Sequence, residues 1–322
     1  MGKGITSKYF GGWGYLTKEE CYRIWINTNM KIIFLNGGLA NQTFQYIFYR
    51  FCQIRHPECD WVLDDSFFYV NNVHNGYELE SVFGVSPHLL SKCFDEDVWE
   101  YMMLQKRNEN NSIPQILKEN GLPYIMIAEY DNYKIWNPFD GEVQMIPSDV
   151  FLPEIADLPG DIYYHGYWLR KDFLDLYGDA IRSELVFPPI DEQNNEIMNQ
   201  IKSTNSAALH IRRGDFVKNG IALDEQTIYQ SVSILLKKIP DATLFVFSDD
   251  IDYCRNKAED LGLNLAKETF FVTGNTGADS YKDMQLMSAC KNVIINNSSF
   301  CYLAALLNND INVLINPTKR AI

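Results

Sequence analysis

The chain has 322 residues, 46% hydrophobic and 22% charged, a composition of the soluble globular class and a length suited to two domains of ordinary size. Acidic residues outnumber basic ones 42 to 28, for a net charge of -14. A polyphosphate backbone is repelled by such a chain on average, so a nucleic-acid partner is not expected, whereas an anionic small molecule needs only a local cluster of arginines and N–H groups.

The first 29 residues, ending in CYRIWINTN, lack the basic-then-apolar pattern of a secretory signal and read as an extension ahead of Met30. From Lys31, KIIFL is a short β-branched strand, Gly37 and Gly38 break it, and LANQTFQYIFYRFCQ carries Phe44, Ile47, Phe48 and Phe51 at helical spacing. WVLDD is the next strand, Tyr77 to Gln105 reads as loosely patterned helices, and YIMIAEY and DIYYHGYW are further strands. YWLRKDFLDLYGDAIRSEL is helical by its apolar spacing, and Pro188 and Pro189 mark a break after it. Beyond the break, strands SAALHI, ATLFVFS, ETFFVT, NVIIN and INVLI alternate with helices LDEQTIYQSVSILLKKI, DIDYCRNKAEDLG, DSYKDMQLMSAC and SSFCYLAALLN. Such alternation implies the α/β class, parallel sheets with helices on both faces and ligands beyond the carboxyl ends of the strands.

Seven cysteines without a CxxC pair read as reduced core residues of a cytoplasmic protein, and five histidines without paired ligand spacing argue against structural zinc. The longest apolar runs fall far short of the roughly 18 to 20 residues of a membrane span. Asp95 and Asp97 form a DxD that would hold a divalent metal in some sugar-transfer folds, but their charge-rich setting favours a solvated helix.

Four polar segments lie where strands end: GGLANQ, HIRRGD, FSDD and NNSSF. His210, Arg212 and Arg213 suit a phosphate, since guanidinium forks pair with its oxygens and Gly214 lets the backbone approach; the structural alternative is an arginine pair bridged to Asp215 and other carboxylates. Gly37 and Gly38 turn the chain into a helix and leave Asn41 and Gln42 at the ligand edge, or form an ordinary tight turn. Neither the GxGxxG fingerprint nor a P-loop is present, which argues against the corresponding dehydrogenases and kinases. Asn297, Ser298, Ser299 and Phe300 open a helix, where one side chain caps and the others can meet a second phosphate. Asp249 and Asp250 either accept from a ribose or base, or cap the helix that follows.

Taken in order, these segments resemble the α-1,2-fucosyltransferase family, glycosyltransferase family 11, in its bacterial form. HIRRGDF matches its HxRRGDY, GGLANQTFQY its GGLGNQMFQY, GYWL at Gly166 to Leu169 its GYWQ, FSDD its counterpart, and NSSFCYLAA its NSSFSWWAA. The match runs from about Met30 to the end of the chain. The resemblance implies a GT-B-like fold, two Rossmann-type halves facing a cleft, with residues 30–188 on the acceptor side and 189–322 binding the donor. It implies inverting transfer of L-fucose from GDP-β-L-fucose to the 2-hydroxyl of a galactose-containing glycan, without a metal or other cofactor. Arg212, Arg213, Asp215 and Asn41 then carry catalysis, and His210, Gly214, Gly37, Gly38, Gln42, Asp249, Asp250 and Asn297 to Phe300 bind substrate. The expected setting is cytoplasmic, free or peripheral at the inner face of the membrane. A binding module that has lost turnover, and a transferase for another nucleotide sugar, are the competing readings.

Overall fold

The structure, a computed structural model, describes residues 30–109, 111–122, 124–130 and 143–318. The expected extension over residues 1–29, with Cys21, lies outside the described residues. Strand β1 (Met30–Phe34) leads into helix α1 (Leu39–Arg55), followed by β2 (Asp60–Asp64), the short helices α2 (Phe67–Val70) and α3 (Leu79–Phe83), α4 (Glu96–Glu109) and α5 (Ile113–Glu119). Strands β3 (Ile125–Tyr130), β4 (Val143–Pro147) and β5 (Ile162–His165) come next, then α6 (Asp172–Arg182) and α7 (Glu192–Ser203). The remainder alternates: β6 (Ser206–Ile211), α8 (Gly214–Lys218), α9 (Glu225–Lys238), β7 (Thr243–Ser248), α10 (Ile251–Asn256), β8 (Glu268–Phe271), α11 (Tyr281–Ser288), β9 (Asn292–Ile294), α12 (Ser299–Leu307) and β10 (Val313–Ile315).

The chain divides into two compact units, one holding residues up to Asn36 with Phe48–Asn72 and Pro87–Trp168, the other Gly37–Ile47, Val73–Ser86 and Leu169–Ile322. The first contains a sheet of order β2-β1-β5-β3-β4, parallel throughout. Every residue of β1 is buried, as expected of a strand covered on both faces, and its register sets Ile32 between Val62 and Tyr163. Trp99, Met102 and Met103 of α4 and Ile113, Ile116 and Leu117 of α5 close one face over Met30, Ile32, Val62 and Tyr163. Ser112 starts α5 by accepting from the Gln115 N–H.

The second unit contains a sheet of order β10-β9-β6-β7-β8, again parallel throughout. Its core joins Ala207, Leu209 and Ile211 of β6 to Leu244 and Val246 of β7, Ile294 of β9, and Ile228, Val232 and Leu235 of α9. Helix α9 starts on Asp224, whose carboxylate accepts from the Thr227 N–H, and ends with Lys237 and Lys238 beside its negative pole. The α/β class, with parallel sheets and flanking helices, is therefore present as expected.

Three local expectations need correction. The helix expected from Tyr167 begins only at Asp172, because Trp168 holds a left-handed φ of 54° and carries the turn out of β5. The helix expected over DIDYCRNKAEDLG stops at Asn256 and gives way to turns. Strand β4 and helices α5 and α7 were not anticipated. Among the described cysteines, Cys52, Cys254, Cys290 and Cys301 are buried, Cys59 and Cys93 half-buried, and all six are free thiols. No helix among the described residues is long and apolar enough to cross a membrane.

Candidate functional site

In the second sheet the chain proceeds outward from β6 through β7 to β8, then returns to the other side of β6 for β9 and β10. The order reverses between β6 and β9, and in open parallel sheets ligands sit beyond the carboxyl ends of the strands at such a reversal. HIRRGD leaves β6 there and NNSSF leaves β9, with FSDD leaving the neighbouring β7.

His210 is buried at the end of β6 and held by Asn296. The Asn296 Oδ1 accepts from the Ser298 N–H and lies 3.0 Å from the Cys301 thiol, which makes Nδ2 the donating end. Nδ2 donates to the His210 carbonyl at 2.8 Å and lies 3.1 Å from His210 Nδ1, so Nδ1 accepts and the ring proton belongs on Nε2. Burial, reinforced by Arg212, lowers the imidazole to about 4 and keeps it neutral at neutral pH.

Arg212 rests between two carboxylates, with Nη2 2.8 Å from Asp215 Oδ1 and Nη1 3.1 Å from Asp249 Oδ2. The other Asp249 oxygen accepts from the Arg213 backbone N–H at 2.8 Å, so this one side chain ties the Arg212 guanidinium to the Arg213 main chain. Gly214 leaves room for the same carboxylate: a Cβ there would meet Asp249 Oδ2 at 2.6 Å and would have to displace it. Arg213 is held differently. Its Nε is 3.7 Å from Asp250 Oδ2, and its guanidinium carbon sits 3.4 Å from the centre of the Tyr253 ring. Asp250 caps α10 by accepting from the Tyr253 N–H, which brings the ring under the guanidinium.

The amino-terminal motif separates into two kinds of residue. Gly37 makes the turn at a φ of 79°, and the Gly38 carbonyl accepts from the Gln42 N–H. Gln42 is fully buried, donating through Nε2 to the carbonyls of Gly37 and Gly76 and accepting at Oε1 from the Glu78 N–H. Asn41 is half-buried, and its Oδ1 accepts from the Ser299 hydroxyl at 2.7 Å. Ser298 caps α12, the Asn297 amide donates to the Ile221 carbonyl, and the Phe300 ring lies 5.6 Å from the His210 ring.

Contacts thus gather His210, Arg212, Arg213, Gly214, Asp215, Asp249 and Asp250 at one edge, and link Asn41 to Ser299 within the same unit. Gln42 serves the loop backbone. Sequence reading did not single out Tyr253 or Glu78, and it included Asn296 only as the first residue of NNSSF, without a role; Tyr253 stands three residues after a capping aspartate. Asp95 and Asp97 lie on exposed ground at the start of α4, and among the described residues no group of three or more His, Cys, Asp or Glu could hold a metal ion.

Two arginines with oriented guanidinium groups at a sheet's reversal point have the chemistry to pair with phosphate oxygens. The sequence profile of glycosyl transferase family 11 matches residues 104–321. The chain belongs to this family. As a family 11 member it is a glycosyltransferase, and its relatives agree. An alpha-1,2-colitosyltransferase of Escherichia coli is 33% identical over 172 residues, a match that takes in 51% of this chain and 57% of that relative's length. The O-antigen biosynthesis glycosyltransferase WbnK, also of Escherichia coli, is 25% identical over 315 residues, 88% of this chain and 93% of the relative. Among solved structures, the fucosyltransferase NodZ from Bradyrhizobium aligns over 87% of this chain and 94% of its own, at 13% identity and a TM-score of 0.48.

Proposed function

We propose that this glycosyltransferase moves L-fucose from GDP-β-L-fucose to the 2-hydroxyl of a galactoside, with inversion, in the assembly of a surface glycan. The observation that carries the reading is the Arg212–Arg213 pair at the end of β6, oriented by Asp215, Asp249 and Asp250. As the bond from fucose to phosphate breaks, negative charge gathers on the β-phosphate, and oriented guanidinium groups lower the energy of that charge without reorganising. Glycosyl transfer passes through an oxocarbenium-like state, so stabilising the leaving group matters more than a strong base. Asp215 is engaged with Arg212 and acts by orienting it. Asn41, fixed by Ser299, is the group assigned to the acceptor hydroxyl or the donor sugar. His210, neutral with its proton on Nε2, offers a donor to the pyrophosphate. The reading assigns the donor to residues 189–322 and the acceptor to 30–188, needs no metal because the arginines neutralise the phosphates, and sets the enzyme in the cytoplasm.

The test is release of GDP from GDP-fucose with a panel of β-galactosides. Arg213→Ala should lower turnover by about 100-fold or more, the scale of losing one charged oxyanion contact. Unchanged turnover would remove Arg213 from the mechanism, and abolition of activity by a chelator would overturn the metal-free step. Tight donor binding without release to any acceptor would make the protein a binding module. The 33% identity to a colitosyltransferase favours a second reading, transfer of a different deoxysugar from its nucleotide, and a donor panel including GDP-colitose decides between the two.

A further inference from the structure

Arg212 and Arg213 are adjacent, yet they are held by opposite means. Arg212 points its N–H groups at Asp215 and Asp249, the same groups a phosphate would need. Arg213 has one carboxylate at 3.7 Å, and its Nε is out of solvent with no hydrogen-bond partner among the described residues. What fixes it is the Tyr253 ring, 3.4 Å from the guanidinium carbon. At that separation two flat groups are in van der Waals contact, which is possible only if the guanidinium lies parallel to the ring. Its N–H groups then lie in a plane beside the ring rather than pointing into it.

Tyr253 is itself constrained at both ends. Its N–H is bonded to the Asp250 carboxylate that caps α10. Its hydroxyl donates to Glu225 Oε1 at 3.0 Å, at the first residue of α9, and Lys257 lies 3.5 Å from that same carboxylate oxygen. A phenol donating to a carboxylate has a more electron-rich ring, and the attraction of a cation to a ring face grows with that electron density. Burial and the bond to Glu225 both raise the Tyr253 hydroxyl above its ordinary range, so the phenol keeps its proton and goes on donating.

We propose that Tyr253, braced by Glu225, is a positioning residue for the donor: it holds the Arg213 guanidinium flat and leaves the N–H edge available to a diphosphate. The proposal rests on the nucleotide-sugar reading given above. A carboxylate in place of the ring would hold Arg213 equally well but would have to be displaced on binding, whereas a ring face restrains the side chain while competing for none of its donors.

The experiment measures GDP affinity by calorimetry, and donor KM and kcat by GDP release, for wild type, Tyr253→Phe, Tyr253→Leu, Glu225→Gln, Arg213→Ala and the Arg213→Ala/Tyr253→Leu pair. Tyr253→Leu should weaken GDP binding and raise donor KM about tenfold, within the range of a desolvated cation–ring contact. Tyr253→Phe should recover most of that loss, because the face remains, and Glu225→Gln should lie between wild type and Tyr253→Leu. In the Arg213→Ala background, adding Tyr253→Leu should change neither quantity further. An equal effect in both backgrounds, or a Tyr253→Phe loss as large as that of Tyr253→Leu, would overturn the proposal. Thermal unfolding of each variant separates a folding defect from a positioning one. If wild type binds GDP but releases none from GDP-fucose, the choice of donor sugar falls while the calorimetric arm still decides the role of Tyr253; if it binds no GDP, both fall.

Discussion

Gln42 is fully buried and both ends of its amide are engaged, Nε2 with the carbonyls of Gly37 and Gly76 and Oε1 with the Glu78 N–H. Its neighbour Asn41 has one side-chain oxygen bonded to Ser299 and a half-buried surface. The two therefore have separable roles in one short motif. Gln42→Leu fills a similar volume but strands the Gly37 carbonyl and the Glu78 N–H out of water and removes the part-buried bond to Gly76, and each buried group so stranded costs about 1 to 3 kcal/mol. A loss of about 3 kcal/mol in urea unfolding is expected. Asn41→Ala removes a single partly exposed bond, so stability should fall by no more than about 1 kcal/mol while GDP release falls about tenfold or more. If Asn41→Ala unfolds the protein as readily as Gln42→Leu, or leaves turnover intact, the division of labour is wrong.

Between β5 and α6 the chain turns at Gly166-Tyr167-Trp168, and the turn depends on Glu129 of the adjacent strand β3. The Glu129 Oε2 accepts from the N–H groups of Tyr167 and Trp168 at 3.0 and 2.8 Å, while Trp168 stacks on Phe48 at 4.2 Å and is buried. A Cβ on Gly166 would meet the Glu129 Cβ at 2.6 Å. Gly166→Ala must therefore push Glu129 away, with a cost of about 1 to 3 kcal/mol for the overpacking and more for the lost bonds. Glu129→Gln keeps an accepting oxygen and should cost less. Equal unfolding midpoints for Gly166→Ala and wild type would refute this account of the turn.

Elements of this kind also set the limits of what the sequence could reveal. The second unit's strands were legible because SAALHI and TLFVF are short, largely apolar runs bounded by polar segments, as suits strands buried on both faces. Helix α7 was not, because EQNNEIMNQIKS buries only Asn194, Met198 and Ile201 and shows no broad apolar stripe. At the site, adjacency in sequence was enough for HIRRGDF. Tyr253 and Glu129 could not be found that way, because each acts on a residue brought near by sheet pairing or by a cap, and that proximity exists only after folding.

At the scale of the whole molecule, each unit contains a histidine lowered and an aspartate raised by burial, and the two act in opposite directions with pH. In the first unit His165 is lowered to about 4 by burial and then by Lys106, while Asp65 is raised to about 6 by burial against the pull of Ser91. In the second unit His210 is lowered to about 4 by burial and then by Arg212, while Asp283 is raised to about 7 by burial against the pull of Asn275. For the histidines, the unfolded chain takes up protons as pH falls below their ordinary value of 6.5 and the folded chain does not, so their contribution is lost between 6.5 and about 4. For the aspartates, the folded chain takes up protons first, so stability is gained as pH falls from about 7 toward their ordinary value of 3.8. Each unmatched proton changes stability by about 1.4 kcal/mol per pH unit. For these four groups, two protons gained against two lost should nearly cancel between about pH 4.5 and 6 in the absence of ligand. Removing one side of the balance tilts the curve relative to wild type: Asp65→Asn/Asp283→Asn should lose stability on acidification, and His165→Asn/His210→Asn should gain it. Other shifted groups, such as the salt-bridged His56, are common to all three proteins and cancel when the curves are subtracted. Urea unfolding at half-unit steps of pH measures the slopes, and parallel curves for wild type and both double variants would show that these four groups do not control the acid response.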